Sequence, residues 1–338
     1  MLAVRSHAPG EGIRLEEVPV PEPAGTEVRL RVAGCGVCHT DLHIITSDRV
    51  RVRRPVTLGH EIAGRIEALG SDAADAMHAA GLREGEHVLV AGGWGCGACE
   101  RCLADDEHAC ALRESPGLKR DGGFAEYLLV PHPRHLVRLG AELDPAHCAP
   151  LADAGLTPWR AISRARPWLD GGRVVVIGSG GLGQFAVQYL RNVGGLEVIA
   201  ADVDSAKRRR AIDLGADDAL DLRDGALDAL AATARAVFDF VGTDETLSQA
   251  ARLVARGGLV SLVGEAGGRL SFGFRQLEVE ASVTTTSWGT KRDLVEVVDM
   301  ARSGAVSWET EMLPLTQAGE ALERLAAGDV AGRLVLVP

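Results

Sequence analysis

Three glycines in a fixed spacing constrain this chain more than any other feature. The run Val174-Val-Val-Ile-Gly-Ser-Gly-Gly-Leu-Gly183 sets Gly178, Gly180 and Gly183 between a β-type run and a helical stretch whose apolar side carries Phe185, Ala186, Tyr189 and Leu190. Such a loop makes a tight turn, lets backbone approach a pyrophosphate and packs the helix closely on the strand, with the positive helix end at the phosphates. A second apolar run, 198–201, ends at Asp202, where a carboxylate accepts the hydroxyls of an adenosine ribose. The combination predicts a dinucleotide-binding unit; the alternative is a structural glycine turn in a nucleotide-free sheet. Asp202 repels a 2′-phosphate, which favours NAD over NADP. The following Lys207-Arg-Arg-Arg210 is either a solvated basic face or a holder for that phosphate.

At 338 residues the chain exceeds what one hydrophobic core usually holds, so two domains are expected. Up to about residue 150 the pattern is short β-type runs (27–32, 62–69, 87–91, 124–130) broken by Gly and Pro, and this half reads as all-β or nearly so. From about residue 172, six apolar runs (174–177, 198–201, 219–222, 236–241, 259–263, 283–286) alternate with helical stretches, which predicts a doubly wound parallel sheet. Helices at 291–302 and 316–327 follow, and a last β-type run, 333–337, is placed to return to the first domain. Residues 71–81, rich in alanine, read as a surface helix or loop.

A net charge of −11 repels phosphate backbones and anionic lipid, so neither nucleic acid nor a membrane is an expected partner. No apolar run has signal-peptide or membrane-spanning length, and the expectation is a cytoplasmic protein. Four of the seven cysteines, Cys96, Cys99, Cys102 and Cys110, crowd into one short segment. Four thiolates from one lobe suit a closed, tetrahedral structural Zn²⁺, with a redox pair or an iron–sulfur cluster as alternatives. His108, inside the lobe, is either a substitute ligand or an exposed side chain; Cys35 and Cys148 read as buried packing residues.

A second constellation comprises Cys38, His60 and Asp153. One thiolate, one imidazole and one carboxylate leave a fourth position for water or substrate, the arrangement of a catalytic zinc. Taken singly each has a plainer reading, and Asp153 in particular could cap a helix running through Trp159.

Gly36-Val-Cys-His-Thr-Asp-Leu-His43, Gly59-His-Glu61, the cysteine lobe, Asp153-Ala-Gly-Leu-Thr157, the 178–183 loop with Asp202 and the closing Gly332-Arg-Leu-Val335 together resemble the zinc-containing medium-chain alcohol dehydrogenases, in order along nearly the whole chain. The resemblance implies an α/β protein with a GroES-like β-rich catalytic domain (1–154 and 291–338) and a Rossmann NAD-binding domain (155–290), with the active site in a cleft between them. It implies two zinc ions, the catalytic one on Cys38, His60 and Asp153, with Asp41 behind His60 and Glu61 behind the metal. Thr40 and His43 match the family's proton relay, which runs through the cofactor ribose. His39, Thr157, Lys207 and Arg333 match cofactor contacts, together with Gly178, Gly180, Gly181, Leu182, Gly183, Asp202, Val241 and Val263. Arg333 is also expected near Glu61.

Asp153 stands where the family most often has cysteine, as in some bacterial secondary alcohol dehydrogenases; residues 71–81 look long, and Gly85-Glu-His87 replaces a Gly-Asp turn. The expected reaction is reversible hydride transfer between NAD and a secondary alcohol, with Trp94 walling the substrate pocket and Trp288 either a second wall or cofactor-domain core. A polyol or other specialised dehydrogenase of the same fold is the enzymatic alternative, and a catalytically silent nucleotide-binding redox sensor or structural protein the other. A homodimer or homotetramer through the nucleotide domain's sheet edge is expected from the resemblance.

Overall fold

The computed structural model describes residues 1–47 and 51–338. They form two compact units, Met1–Asp153 with Trp288–Arg302 and Glu309–Pro338, and Ala154–Ser287 with Ser303–Trp308.

The first unit is built on a mixed sheet in the strand order Thr310–Pro314, Arg333–Val337, Val28–Gly36, Glu61–Leu69, His87–Val90, Leu136–Arg138, with Tyr127–Val130 also on Val28–Gly36. Alternation in Val28–Gly36 sends Val28, Leu30 and Val32 into a core shared with Ile62, Ile66, Val88, Phe124 and Leu334. The closing strand does return here: Val335 pairs with Gly36 and Leu336 with Cys35, antiparallel. A smaller sheet joins Arg14–Glu17, Leu2–Ser6 and Val56–Thr57.

A helix at Ala73–Ala79 falls where residues 71–81 read as a surface helix or loop, but this half is less purely β than its sequence suggests at His39–Thr46, which is also helical. Eight residues are too few for helical periodicity to stand out, and the first helix is fixed at its start by Asp41, whose Oδ2 accepts the Cys38 N–H at 3.0 Å.

The second unit carries six parallel strands in the order Asp218–Leu220, Leu196–Ala201, Gly172–Ile177, Ala234–Asp239, Val254–Leu262, Ser282–Thr285. Numbered along the chain this is 3-2-1-4-5-6, the doubly wound Rossmann order, with ligand chemistry expected at the carboxyl ends of the central strands. Val174, Val175, Val176, Val198, Val237 and Val260 are fully buried, as strands covered on both faces require.

The units divide one and three residues away from the boundaries expected at 154/155 and 290/291, and Ser303–Trp308 joins the second unit. Gln188 holds that segment from both sides, donating from Nε2 to Ser307 O at 2.9 Å and accepting the Ser307 N–H at Oε1 at 2.8 Å. Trp308 also packs on Phe185 with ring centroids 5.9 Å apart. Among the described residues no helix is long and apolar enough to cross a membrane.

Candidate active site and metal centres

Cys38 follows directly on the strand Val28–Gly36 and its connecting Val37, His60 and Glu61 stand at the start of Glu61–Leu69, and Asp153 ends the turn after Ala149–Ala152. Their ligand atoms, one each from Cys38, His60, Glu61 and Asp153, all lie within 4.8 Å of one another, and all four side chains are buried. Asp153 Oδ2 is 3.9 Å from Cys38 Sγ and 3.6 Å from His60 Nε2. A tetrahedral zinc with Zn–S of ~2.3 Å and Zn–N/O of ~2.1 Å sets such edges at about 3.6 and 3.4 Å, so these two edges stand within a few tenths of an ångström of what the ion needs. The N-cap position of the next helix, Leu156–Arg164, is held by Gly155.

The charges make the same case. Burial opposes a proton on His60, yet Asp41, with hydrogen bonding to Asp153 and Cys38, holds its pKa well above the ordinary value. An array that draws a proton onto a fully buried imidazole is short of positive charge, which a divalent cation supplies.

Asp41 is the brace behind this set. It accepts the Cys38 N–H and, at Oδ1, the Gly59 N–H at 3.2 Å, and the same Oδ1 lies 3.7 Å from His60 Nδ1, leaving Nε2 directed at Asp153. Glu61 pairs with Arg333 in a buried contact, and its remaining oxygen, Oε2, has no hydrogen-bond partner and is free for a cation. Burial pushes the Glu61 carboxyl up to about 7 against the pull of Arg333.

On the helix His39–Thr46, Thr40 Oγ1 lies 3.8 Å from Cys38 Sγ. His43 is three residues further on and so on the same face, both being half-buried, while His39 is exposed. Of the two tryptophans, Trp94 is 2 % exposed in the core, its ring beside His135 at 6.1 Å. Trp288 belongs to the first unit and meets the metal set, edge-on to His60 at 6.1 Å, with the Arg113 guanidinium 5.0 Å over its ring. Its backbone sits at φ +53°, a costly region for a bulky residue that marks a position held by its surroundings. Nothing local in the sequence announces that contact.

In the cysteine lobe, Cys99 Sγ lies 3.5 Å from Cys102 Sγ and 3.7 Å from Cys110 Sγ, and Cys96 Sγ 3.9 Å from Cys102 Sγ. The S–S edge of a tetrahedral Zn–thiolate site is about 3.8 Å, and a disulfide needs ~2.05 Å; the spacing fits the ion. Backbone N–H groups of Ala98 and Cys99 lower Cys96 to about 6, whereas burial foremost raises Cys102 to about 12, so these two do not ionise together unless a cation shares their charge. Glu107 braces the lobe by accepting the Gly95 N–H at 2.9 Å and Arg134 Nε at 3.1 Å. His108 stands outside the cysteine set, half-buried beside Asp106 at 3.5 Å. Cys35 and Cys148 are fully buried.

In the second unit each glycine of the loop has a separate job. Gly178 turns at φ +86°; a Cβ on Gly180 would meet nothing within 4 Å; one on Gly183 would lie 1.9 Å from Gly178 O. Turn, open approach and tight helix packing are the three requirements of a pyrophosphate loop, and the helix Gly183–Val193 starts there after Gly181 and Leu182. Asp202, just past Leu196–Ala201, is fixed on both carboxylate oxygens, by the Ser179 N–H at 2.8 Å and the Asp204 N–H at 2.9 Å. Val241 and Val263 follow the ends of neighbouring strands; both are tied to Asp239, which accepts the Val241 N–H at Oδ1 and the Val263 N–H at its carbonyl. Thr157 is buried in Leu156–Arg164, and Lys207 is half-buried on Ser205–Asp213.

Residues 24–141 match the alcohol dehydrogenase GroES-like domain and residues 181–303 the zinc-binding dehydrogenase domain. The chain is 34% identical to an NAD-dependent alcohol dehydrogenase of Sulfurisphaera tokodaii, with all of both chains covered. It is 33% identical to the D-arabinose 1-dehydrogenase (NADP(+)) of Saccharolobus solfataricus, covering 97% of this chain and 95% of that one. The solved alcohol dehydrogenase of Aeropyrum pernix superposes over the full length of both chains with a TM-score of 0.91 at 34% identity. With its GroES-like and Rossmann units and two zinc-type donor sets, the chain belongs to the zinc-containing medium-chain alcohol dehydrogenases.

Proposed function

We propose that this protein is an NAD-dependent zinc alcohol dehydrogenase that interconverts secondary alcohols and ketones. The observation that carries the reading is the donor set of Cys38, His60 and Asp153 beside Thr40, combined with a pyrophosphate loop whose acidic residue, Asp202, is locked in place. When bound, Zn²⁺ would supply the Lewis acid that brings an alcohol's proton within reach near neutral pH, and NAD would supply the hydride acceptor. Cys38, His60 and Asp153 hold the metal, with Asp41 fixing the direction of the His60 ring. Thr40 accepts the alcohol proton at Oγ1, and His43, one turn along the same face, passes it toward solvent. In the reverse direction both return it to the ketone. Asp202 holds the adenosine ribose hydroxyls, the 180–183 backbone receives the pyrophosphate, and Arg333 keeps Glu61 paired.

Trp288 supports the secondary-alcohol preference by setting a large aromatic ring edge-on to His60 beside the metal set. The named activity of the Saccharolobus relative on a sugar makes a polyhydroxylated substrate the second reading. kcat/KM for 2-butanol, 1-phenylethanol, ethanol, sorbitol and D-arabinose, with wild type, Trp288→Ala and Trp94→Ala, decides: 1-phenylethanol or 2-butanol leads, and leadership by sorbitol or D-arabinose refutes the preference. The protein works in the cytoplasm as a homodimer or homotetramer. The edge strand Ser282–Thr285, with Phe272, Phe274 and Val279 exposed nearby in sequence, supports a self-association surface. Light scattering that gives a monomer at micromolar concentration refutes it.

A further inference from the structure

The run Lys207-Arg-Arg-Arg210 begins five residues after Asp202, and one of its members, Arg208, reaches back to the site of the adenosine ribose. Arg208 Nη1 donates to the Asp202 carbonyl at 2.7 Å, which sets a guanidinium at the residue whose carboxylate faces the ribose. A 2′-phosphate would arrive there, and a free guanidinium is the group best suited to take it. Arg208 is not free. Its Nη1 is 3.6 Å from Oδ2 of Asp221, a side chain only 8% exposed, just past the neighbouring strand Asp218–Leu220. Of the rest of the run, Arg210 turns to Gln184 Oε1 at 3.4 Å and Arg209 is exposed.

Asp221 is itself held firmly. Oδ1 accepts the Arg223 N–H and Nε, each at 3.0 Å, and Oδ2 accepts Arg223 Nη2 at 2.7 Å, so that one oxygen serves two guanidinium groups. The Arg223 hydrogen bonds foremost keep its pKa down at about 2, and the carboxylate stays charged throughout the physiological range.

We propose that Asp221 is a specificity-determining positioning residue: by engaging Arg208 it withholds from a 2′-phosphate the guanidinium that lies against Asp202, and so it enforces NAD over NADP together with Asp202. The proposal rests on the nucleotide reading of the glycine loop, and it assigns cofactor choice to a second carboxylate, one strand away from Asp202. Within one family the Saccharolobus relative is named for NADP and the Sulfurisphaera relative for NAD, so the fold alone does not set the choice.

The test is direct binding, read by nucleotide fluorescence with no substrate present. Asp221→Asn keeps the side-chain oxygen that accepts the Arg223 N–H and removes the charge. Its dissociation constant for NADPH should fall about tenfold, the worth of one charge-assisted hydrogen bond, while that for NADH stays within about twofold of wild type. Adding Arg208→Ala to Asp221→Asn should abolish the gain. In the wild-type background, Arg208→Ala should leave the NADPH-to-NADH ratio unchanged, a measurement that needs no variant at Asp221. An unchanged ratio in Asp221→Asn, a gain that survives removal of Arg208, or a weaker NADPH affinity in Arg208→Ala alone overturns the proposal. If the wild-type protein binds neither nucleotide, the nucleotide reading itself fails, a result distinct from the other three.

Discussion

Substituting alanine at two glycines of the pyrophosphate loop separates folding from cofactor binding, because the structure gives the added methyl opposite surroundings. At Gly183 a Cβ would stand 1.9 Å from Gly178 O and 2.9 Å from Gly178 C. An ordinary C···O contact is about 3.3 Å, so the helix start and the strand end must part by about 1.4 Å within a packed layer. Overpacking of that kind costs roughly 1–3 kcal/mol, which lowers the Tm by several degrees at ~2–4 °C per kcal/mol. Gly180 has nothing within 4 Å of its would-be methyl, and its φ is not positive. There alanine leaves the apoprotein unchanged or stabilises it by up to about 1 kcal/mol through the unfolded chain. Its methyl occupies the approach a pyrophosphate needs, so the dissociation constant for NADH should rise at least about tenfold, one lost charge-assisted hydrogen bond. Thermal unfolding followed by circular dichroism, paired with NADH fluorescence titration, reads both effects. Gly180→Ala with wild-type NADH affinity, or Gly183→Ala with an unchanged Tm, refutes the reasoning.

Chelation should remove one zinc and leave the other: the open Cys38, His60, Asp153 site loses its ion and the activity together, while the closed thiolate site retains its ion, as metal analysis before and after dialysis will report. Fully active protein carrying one zinc or none contradicts this. Thr40→Ala should abolish most turnover with NADH affinity kept, and His43→Gln should be milder and displace the pH profile; equal, small effects from both remove the relay assignment. His135 is pushed down to about 2 by burial, so it is neutral when folded and protonates on unfolding below about 6.5. Its contribution to stability is therefore complete above that pH and falls as pH drops, by about 2 kcal/mol at pH 5. The urea midpoint of His135→Gln should decline less than that of wild type between pH 7 and 5; parallel declines refute the assignment.

The parts legible in the sequence are those whose chemistry is local. The glycine spacing with Asp202 specifies a strand, a turn and a helix by backbone sterics alone, and the cysteine lobe gathers its four sulfurs within one short stretch. Cys38, His60 and Asp153 were legible as a candidate set from their chemistry and as ligands of one ion through the resemblance, since their spacing alone does not show that the fold brings them within 4.8 Å. Contacts made by elements far apart in sequence left no trace for Asp221 on Arg208 and Gln188 holding Ser307, and Trp288 against His60 stood only as one of two readings of that side chain. The short helix His39–Thr46 was hidden because one cap from Asp41, and not a long apolar stripe, starts it.

The strand Arg333–Val337 lies in the sheet beside Val28–Gly36, and Arg333 meets Glu61 across 272 residues of sequence. On the ribosome this imposes an order of events. The six parallel strands between Gly172 and Thr285 are all made before that strand emerges, so the nucleotide unit can close while the metal-binding unit still waits with one edge of its sheet bare. During that interval Glu61 has no counterion and Gly36 no neighbour from the closing strand, which makes the nascent metal-binding half the aggregation-exposed part of the chain and the natural client of a chaperone.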